Sequence, residues 1–180
     1  MPGTAPPLPP ATVDAIDRLG MGAFLKAVMR YRTPVWPGGQ DWLGRLGETV
    51  FGEFVDLRAV TGEQIAVGFA AGSEARRLEA LDDEAVLGEA HAAFGAALGT
   101  TDLPEPEAGL VTRWGQDPFA RGAYSFLAVG STPDDRDVLA APLGPRLILA
   151  GEATSRRYPS TVVGAWLSGE AAADRLLAGP

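Results

Sequence analysis

Of the 15 basic residues in the chain, a single one is a lysine, Lys26, and it falls inside the apolar stretch from Phe24 to Tyr31. An ammonium there needs a counter-charge or a water, which marks it as a group with work to do. A second concentration of chemistry follows the apolar run Leu147-Ile-Leu-Ala, where Gly151, Glu152 and Thr154 arrive together. Glycine admits a ligand close to the backbone, and in an open α/β sheet ligands collect at strand ends of this kind. Taken alone, the same residues also make an ordinary strand-to-helix connection. The continuation is less ordinary: Ser160, Thr161 and Val162 open a stretch with no charged residue until Glu170. The N–H groups at the head of such a helix favour an electron-rich neighbour. Two aromatics, Trp114 and Tyr124, flank the turn-forming pair Asp117-Pro118. Read from the residues alone, both aromatics fill a core.

Three segments carry a family resemblance. Ala150-Gly-Glu-Ala-Thr-Ser155, followed by Tyr158-Pro-Ser-Thr-Val-Val-Gly-Ala-Trp-Leu-Ser-Gly169, resembles the terminal flavin motif of the flavin-containing amine oxidases. Thr112-Arg-Trp-Gly-Gln-Asp-Pro-Phe-Ala-Arg-Gly-Ala-Tyr-Ser-Phe126 resembles that family's tryptophan, Asp-Pro, Arg-Gly, Tyr-Ser segment, and Arg18 to Tyr31 resembles its lysine-bearing strand. The closest branch in pattern is that of the polyamine oxidases and lysine-specific histone demethylases. The resemblance implies a non-covalent FAD, because Ala123 stands before Tyr124 where the monoamine oxidases carry the flavin-linked cysteine. It implies Lys26 and Tyr124 as catalytic groups, the first holding a water against flavin N5 and the second walling the amine cage. Trp114, Gly151, Glu152, Ser160, Thr161 and Val162 are implied as cofactor contacts. Leu25 replaces the asparagine often found before the family's lysine, and Ser160 stands where some relatives place a second bulky wall, implying a roomier entrance. The implied reaction is oxidation of a primary or secondary amine to an imine, with oxygen reduced to peroxide. The alternatives are a related flavoprotein acting on an amino acid or other substrate, and a non-catalytic remnant serving as an interaction module.

Composition narrows the setting. A formal charge of -8 opposes nucleic-acid binding, which needs clustered Lys and Arg. No apolar run approaches the roughly 20 residues of a membrane span, and the proline-rich Met1 to Pro10 fits neither a secretory signal nor a transit peptide. With no cysteine, neither a disulfide framework nor a thiolate metal site is available. The expected location is cytoplasmic. His91 reads as a solvent-facing helical residue, and the pairs Asp82-Asp83 and Asp134-Asp135 as a helix cap and a turn.

These residues require a scaffold of α+β type, with a mixed or antiparallel sheet. The pattern predicts a helix over Ala11 to Leu19 stopped by Gly20, a strand over Phe24 to Tyr31, and strands over Val50 to Leu57 and Gln64 to Ala70 joined by the turn Thr61-Gly62-Glu63. It further predicts a helix from Asp83 to Leu98 capped by Asp82, a strand from Gly109 to Trp114, a buried strand from Arg146 to Ala150, and a helix from Thr161 to Leu177. In strand alternation, Phe24, Lys26, Val28 and Arg30 share one face. In the last helix, Val162, Trp166, Gly169, Ala173 and Leu176 share one stripe. On the resemblance, residues 1–140 are a partial substrate-binding domain and 141–180 the closing strand-loop-helix of an FAD domain. The Gly-x-Gly-x-x-Gly loop of a dinucleotide fold does not occur in the sequence. A separate FAD-binding chain, or self-association, is therefore expected to complete the site.

Overall fold

The computed structural model describes residues 7–144 and 147–178. They form two compact units: a sheet unit of residues 23–123, and a terminal unit that joins the chain up to Gly22 with the chain from Tyr124 onward.

The sheet unit is built around β2 (Phe24–Tyr31), whose alternation holds as expected. Leu25, Ala27, Met29 and Tyr31 are buried on one face, while Lys26 and Arg30 are exposed on the other. The remaining strands are β3 (Trp42–Gly44), β4 (Glu53–Asp56), β5 (Gln64–Ala71) and β6 (Ala108–Val111). They lie in the order β3-β4-β5-β2-β6, every neighbouring pair antiparallel. Between β4 and β5 the chain makes one helical turn, α2 (Arg58–Thr61), closed by Gly62 at φ 76°. The connection is thus longer than the simple meander turn read from Thr61-Gly62-Glu63. The strand expected over Val50 to Leu57 contracts to β4 because Phe51 leaves the ladder to fill the core beside Phe54.

Two helices cover the inner face. Helix α3 (Gly72–Glu79), which the sequence pattern does not announce, starts directly from β5 through Gly72 at φ 63°. Helix α4 (Asp83–Leu98) has the expected bounds, and Asp82 Oδ1 accepts from the Ala85 amide at 2.8 Å as its N-cap. Phe51, Phe54, Leu78, Val86 and Phe94 pack with the buried face of β2. His91 corrects the solvent-facing reading: its imidazole is largely buried, with Nδ1 3.1 Å from the Tyr31 hydroxyl. Burial pushes the Tyr31 phenol above its ordinary pKa, so this pair joins α4 to β2 through a neutral hydroxyl.

The terminal unit opens with α1 (Pro10–Arg18). Gly20 does not act as a stop; it lies within β1 (Leu19–Met21), which pairs antiparallel with β7 (Ser125–Leu127). Glycine is required there for a different reason, since a Cβ would come within 2.3 Å of the Phe126 ring. Helix α5 (Pro133–Ala140) replaces the turn expected at Asp134-Asp135. Asp135 reaches back to the Thr132 amide at 2.8 Å and receives Arg18 Nη2 from α1 at 2.6 Å. The chain closes with a 3-10 turn at Glu152–Thr154 and helix α6 (Val162–Ala178).

The buried strand expected from Arg146 to Ala150 does not form. Arg146 lies outside the described residues, and 147–150 adopt no strand, with Leu147, Ile148 and Leu149 only half-buried. A buried strand needs paired strands on its edges, and among the described residues none pairs with 147–150, where the Leu147 carbonyl accepts the Leu143 amide at 2.9 Å. The expected stripe on α6 is likewise uncovered: Val162 is 85 %, Trp166 69 % and Leu176 52 % exposed. Among the described residues no helix is long and apolar enough to cross a membrane, and no cluster of His, Asp or Glu could hold a metal ion.

Candidate functional site

Six of the eight residues singled out by sequence belong to the terminal unit, and a compact hydrogen-bond network joins two of them, Glu152 and Ser160, through Ser125. Its hub is Glu152. One carboxylate oxygen accepts the Ser125 amide at 2.8 Å, and the other accepts the Ser125 hydroxyl at 2.8 Å and the Ser160 amide at 2.7 Å. Ser160 in turn donates its hydroxyl to the Ser125 carbonyl. The reason for so many bonds is visible in the backbone. Ser160 sits at φ 60°, a left-handed conformation that costs a side-chain-bearing residue energy and persists only when neighbours enforce it.

That kink aims the head of α6. Thr161 caps the helix, its Oγ1 accepting the Gly164 amide at 3.0 Å, while its carbonyl accepts from Ala165. The Val162 and Val163 amides precede the first intrahelical bond and so point out of the helix end. No acidic residue occupies the first turn to neutralise them. Gly164 is needed for close approach: a Cβ would lie 1.9 Å from the Tyr158 carbonyl oxygen. Tyr124 enters beside Ser125 at the start of β7, its carbonyl accepting the Gly22 amide at 2.8 Å and its side chain 40 % exposed. Gly151 has φ 142°, and a Cβ there would meet nothing within 4 Å. Its amide is already engaged, donating to Ser168 Oγ at 2.8 Å.

The other two residues belong to the sheet unit. Lys26 is exposed on the outer face of β2, and no carboxylate among the described residues lies within ion-pair distance of its ammonium. Its backbone is bracketed by Thr112, which accepts the Lys26 amide on Oγ1 at 2.9 Å and donates its own amide to the Lys26 carbonyl at 3.0 Å. Trp114, 46 % exposed, follows two residues later in a loop closed by the Gly122 amide donating to the Trp114 carbonyl at 3.0 Å. Asp117 organises that loop by accepting the Phe119 and Ala120 amides, as the Asp117-Pro118 turn signal predicts. Arg113 and Gly115, on either side of Trp114, are both anchored to Glu79 at the end of α3.

Sequence reasoning missed Ser125, Arg136, Thr112 and Glu79 as supports of the site. Ser125 and Thr112 lie inside the motifs but carry polar groups too common to single out. Arg136 reads as one charge among several in Asp-Asp-Arg-Asp, yet it is 2 % exposed. Glu79 is 8 % exposed, on a helix not foreseen. Burial of these groups is a property of the packed chain.

The arrangement fits the ring end of a flavin. An aromatic side chain, a glycine with open space beside it, and outward N–H groups at an uncharged helix head suit a flat ring with an electron-rich edge. Glu152 and the Gly151 amide are largely spent on protein partners and hold the loop in place.

A chain of α+β class with antiparallel sheets, carrying exposed aromatics and an open helix head of this kind, has relatives. The family model for flavin containing amine oxidoreductase matches residues 2–177. The chain therefore belongs to the flavin-containing amine oxidase family, on the histone demethylase and polyamine oxidase side. It is 37% identical to a possible lysine-specific histone demethylase 1 of Drosophila melanogaster, over 95% of this chain and 21% of that protein. It is 36% identical to the human peroxisomal N(1)-acetyl-spermine/spermidine oxidase, over 96% of this chain and 38% of the relative. A solved putrescine oxidase bound to putrescine shares the fold with a TM-score of 0.82 at 22% identity, covering 96% of this chain and 38% of that one. The chain thus spans between about a fifth and two fifths of the length of these relatives.

Proposed function

We propose that this chain is the portion of an FAD-dependent amine oxidase that supplies the amine-binding wall and the ring end of the flavin site. The observation that carries the reading is the Glu152 network, which fixes the start of β7, where Tyr124 stands, against the uncharged head of α6. Bound without a covalent link, FAD would supply the electron acceptor for hydride removal from the carbon beside the amine nitrogen, with oxygen as the final oxidant. Tyr124 offers an aromatic face to a cationic amine, and Trp114, on the family resemblance, packs at the flavin ring. The Val162 and Val163 amides stabilise negative charge at the ring edge by about 0.3 to 2 kcal/mol. Lys26 holds a water and a proton near the reacting atoms. A polyamine-like substrate suits the small Ser160 side chain at the entrance.

In this proposal, residues 1–140 serve mainly the substrate side and 141–180 the flavin side, a functional division distinct from the two packing units. The exposed stripe of Val162, Trp166 and Leu176 is covered by the rest of a flavin domain, carried on a separate chain or a longer one, and otherwise by self-association. A cytoplasmic location accompanies the reading.

The test is purification of the chain alone and together with a glycine-motif flavin domain. A visible flavin spectrum in the mixture, bleached anaerobically by a polyamine, is the expected result. A flavin spectrum bleached only by an amino acid would move the function to the related oxidases, and no flavin uptake in either sample would leave a non-catalytic module.

A further inference from the structure

We propose that Arg136, acting through Ser125, is a positioning residue that sets Tyr124 and the head of α6 in register. Arg136 projects from α5 and is 2 % exposed, so its charge is desolvated and must be met by the protein. Its Nη1 donates to the Ser125 hydroxyl at 2.8 Å and to the Ala153 carbonyl at 3.1 Å, and lies 3.8 Å from a Glu152 carboxylate oxygen. The guanidinium therefore does two things at once. It balances the negative charge of Glu152, and by occupying a lone pair of the Ser125 oxygen it directs the Ser125 hydroxyl proton to Glu152.

Ser125 is the shared joint. Its amide and hydroxyl go to Glu152, and its carbonyl accepts from Ser160, whose left-handed backbone begins the turn into α6. Tyr124 is its chain neighbour. Loosening Arg136 releases the Ser125 hydroxyl and leaves Glu152 with an unbalanced charge, so the Ser160 kink relaxes and the tyrosine ring loses its fixed direction. Among the described cations of the terminal unit, Arg18 is engaged by Asp135, Arg156 by Asp134 and Asp137, and Arg175 donates to the Ala140 carbonyl.

The catalytic meaning of this register rests on the flavin reading above, but the register itself is measured without flavin. The three tyrosines, Tyr31, Tyr124 and Tyr158, permit 3-fluorotyrosine labelling with separate fluorine resonances. In Arg136→Met the Tyr124 resonance is expected to broaden or split while Tyr31 in the sheet unit stays unchanged. The Ser125 and Ser160 amides should exchange about tenfold faster. Arg136→Lys, which keeps a charge and a donor, should restore most of both signals. Ser125→Ala, which keeps the Arg136 bond to Ala153 but removes the hydroxyl link, should reproduce the Met variant and decides the matter if that variant does not fold. An unchanged Tyr124 line with unchanged exchange in folded variants overturns the proposal. So does uniform acceleration of exchange accompanied by movement of the Tyr31 line, which would mean a general loss of stability. Failure of flavin uptake would overturn the proposed function and leave this inference standing.

Discussion

Glu152 and Lys26 are both charged residues inside family motifs, yet they stand in opposite situations. The Glu152 carboxylate is saturated by Ser125 and Ser160, so its chemistry is spent on geometry. Lys26 is exposed on β2 with only its backbone engaged, by Thr112, and its side chain remains available for water or substrate. In the assembled oxidase, Lys26→Met should therefore slow one flavin half-reaction by about 10²- to 10⁴-fold, the range of well-placed proton-handling groups. Stopped-flow measurement of reduction and reoxidation checks this, and rates unchanged from the unaltered chain in both half-reactions would remove Lys26 from the chemistry. The substitution should leave the fold intact, because Lys26 contributes no side chain to the buried face of β2.

At the scale of elements, α4 and α6 differ in what holds them. Helix α4 buries Val86, Ala90 and Phe94 against the sheet and begins at a cap, Asp82, legible from the Asp-Asp-Glu start. Asp82→Ala should cost about 1 kcal/mol of stability in the sheet unit, seen as a lower urea midpoint with an unchanged slope. Among the residues of α6 only Gly164 is buried. The helix is anchored by its head, by Ser168 and by the Arg175 bond to the Ala140 carbonyl rather than by a packed face. Element existence followed from periodicity for β2, α4 and α6. Helix α3 was hidden because β5 runs straight into it, with no residue between Ala71 and Gly72, and Arg146 to Ala150 misled because a buried-type composition does not create the neighbouring strands it needs.

For the whole chain, acid sensitivity should be localised. The Arg18 guanidinium, and then the Thr132 amide, hold the Asp135 carboxyl below the usual carboxylate range. A depressed carboxylate contributes stability that is complete above its unfolded value, near pH 4, and is lost as pH falls through the lower folded value. The raised pKa of Arg18 contributes at every working pH and adds no slope there. Asp135→Asn should thus lower the thermal midpoint at pH 7, and the difference from the unaltered chain should vanish progressively below about pH 4. Glu89, held down by Arg77 in the sheet unit, follows the same sign, but its exposure leaves it screened and its effect smaller. A gap between the two thermal curves that persists at pH 2 would mean that Asp135 acts by packing and not by charge.

By itself the sequence determined the family, the alternation of β2 that puts Lys26 on one face with Phe24, Val28 and Arg30, the capped helix from Asp83, and the uncharged helix head after Thr161; that this face of β2 leaves Lys26 exposed was decided by the packing. Each of these is written in local order: a period of two, a cap before an apolar run, a motif of contiguous residues. Tertiary structure alone decided that Arg136 and Glu79 are buried, that His91 turns inward to Tyr31, and that Glu152 binds its own chain. It also decided that residues before Gly22 and after Tyr124 share a unit. Those outcomes depend on which distant groups meet when apolar faces pack, and a buried charge takes its partner from whatever donor or acceptor that packing delivers.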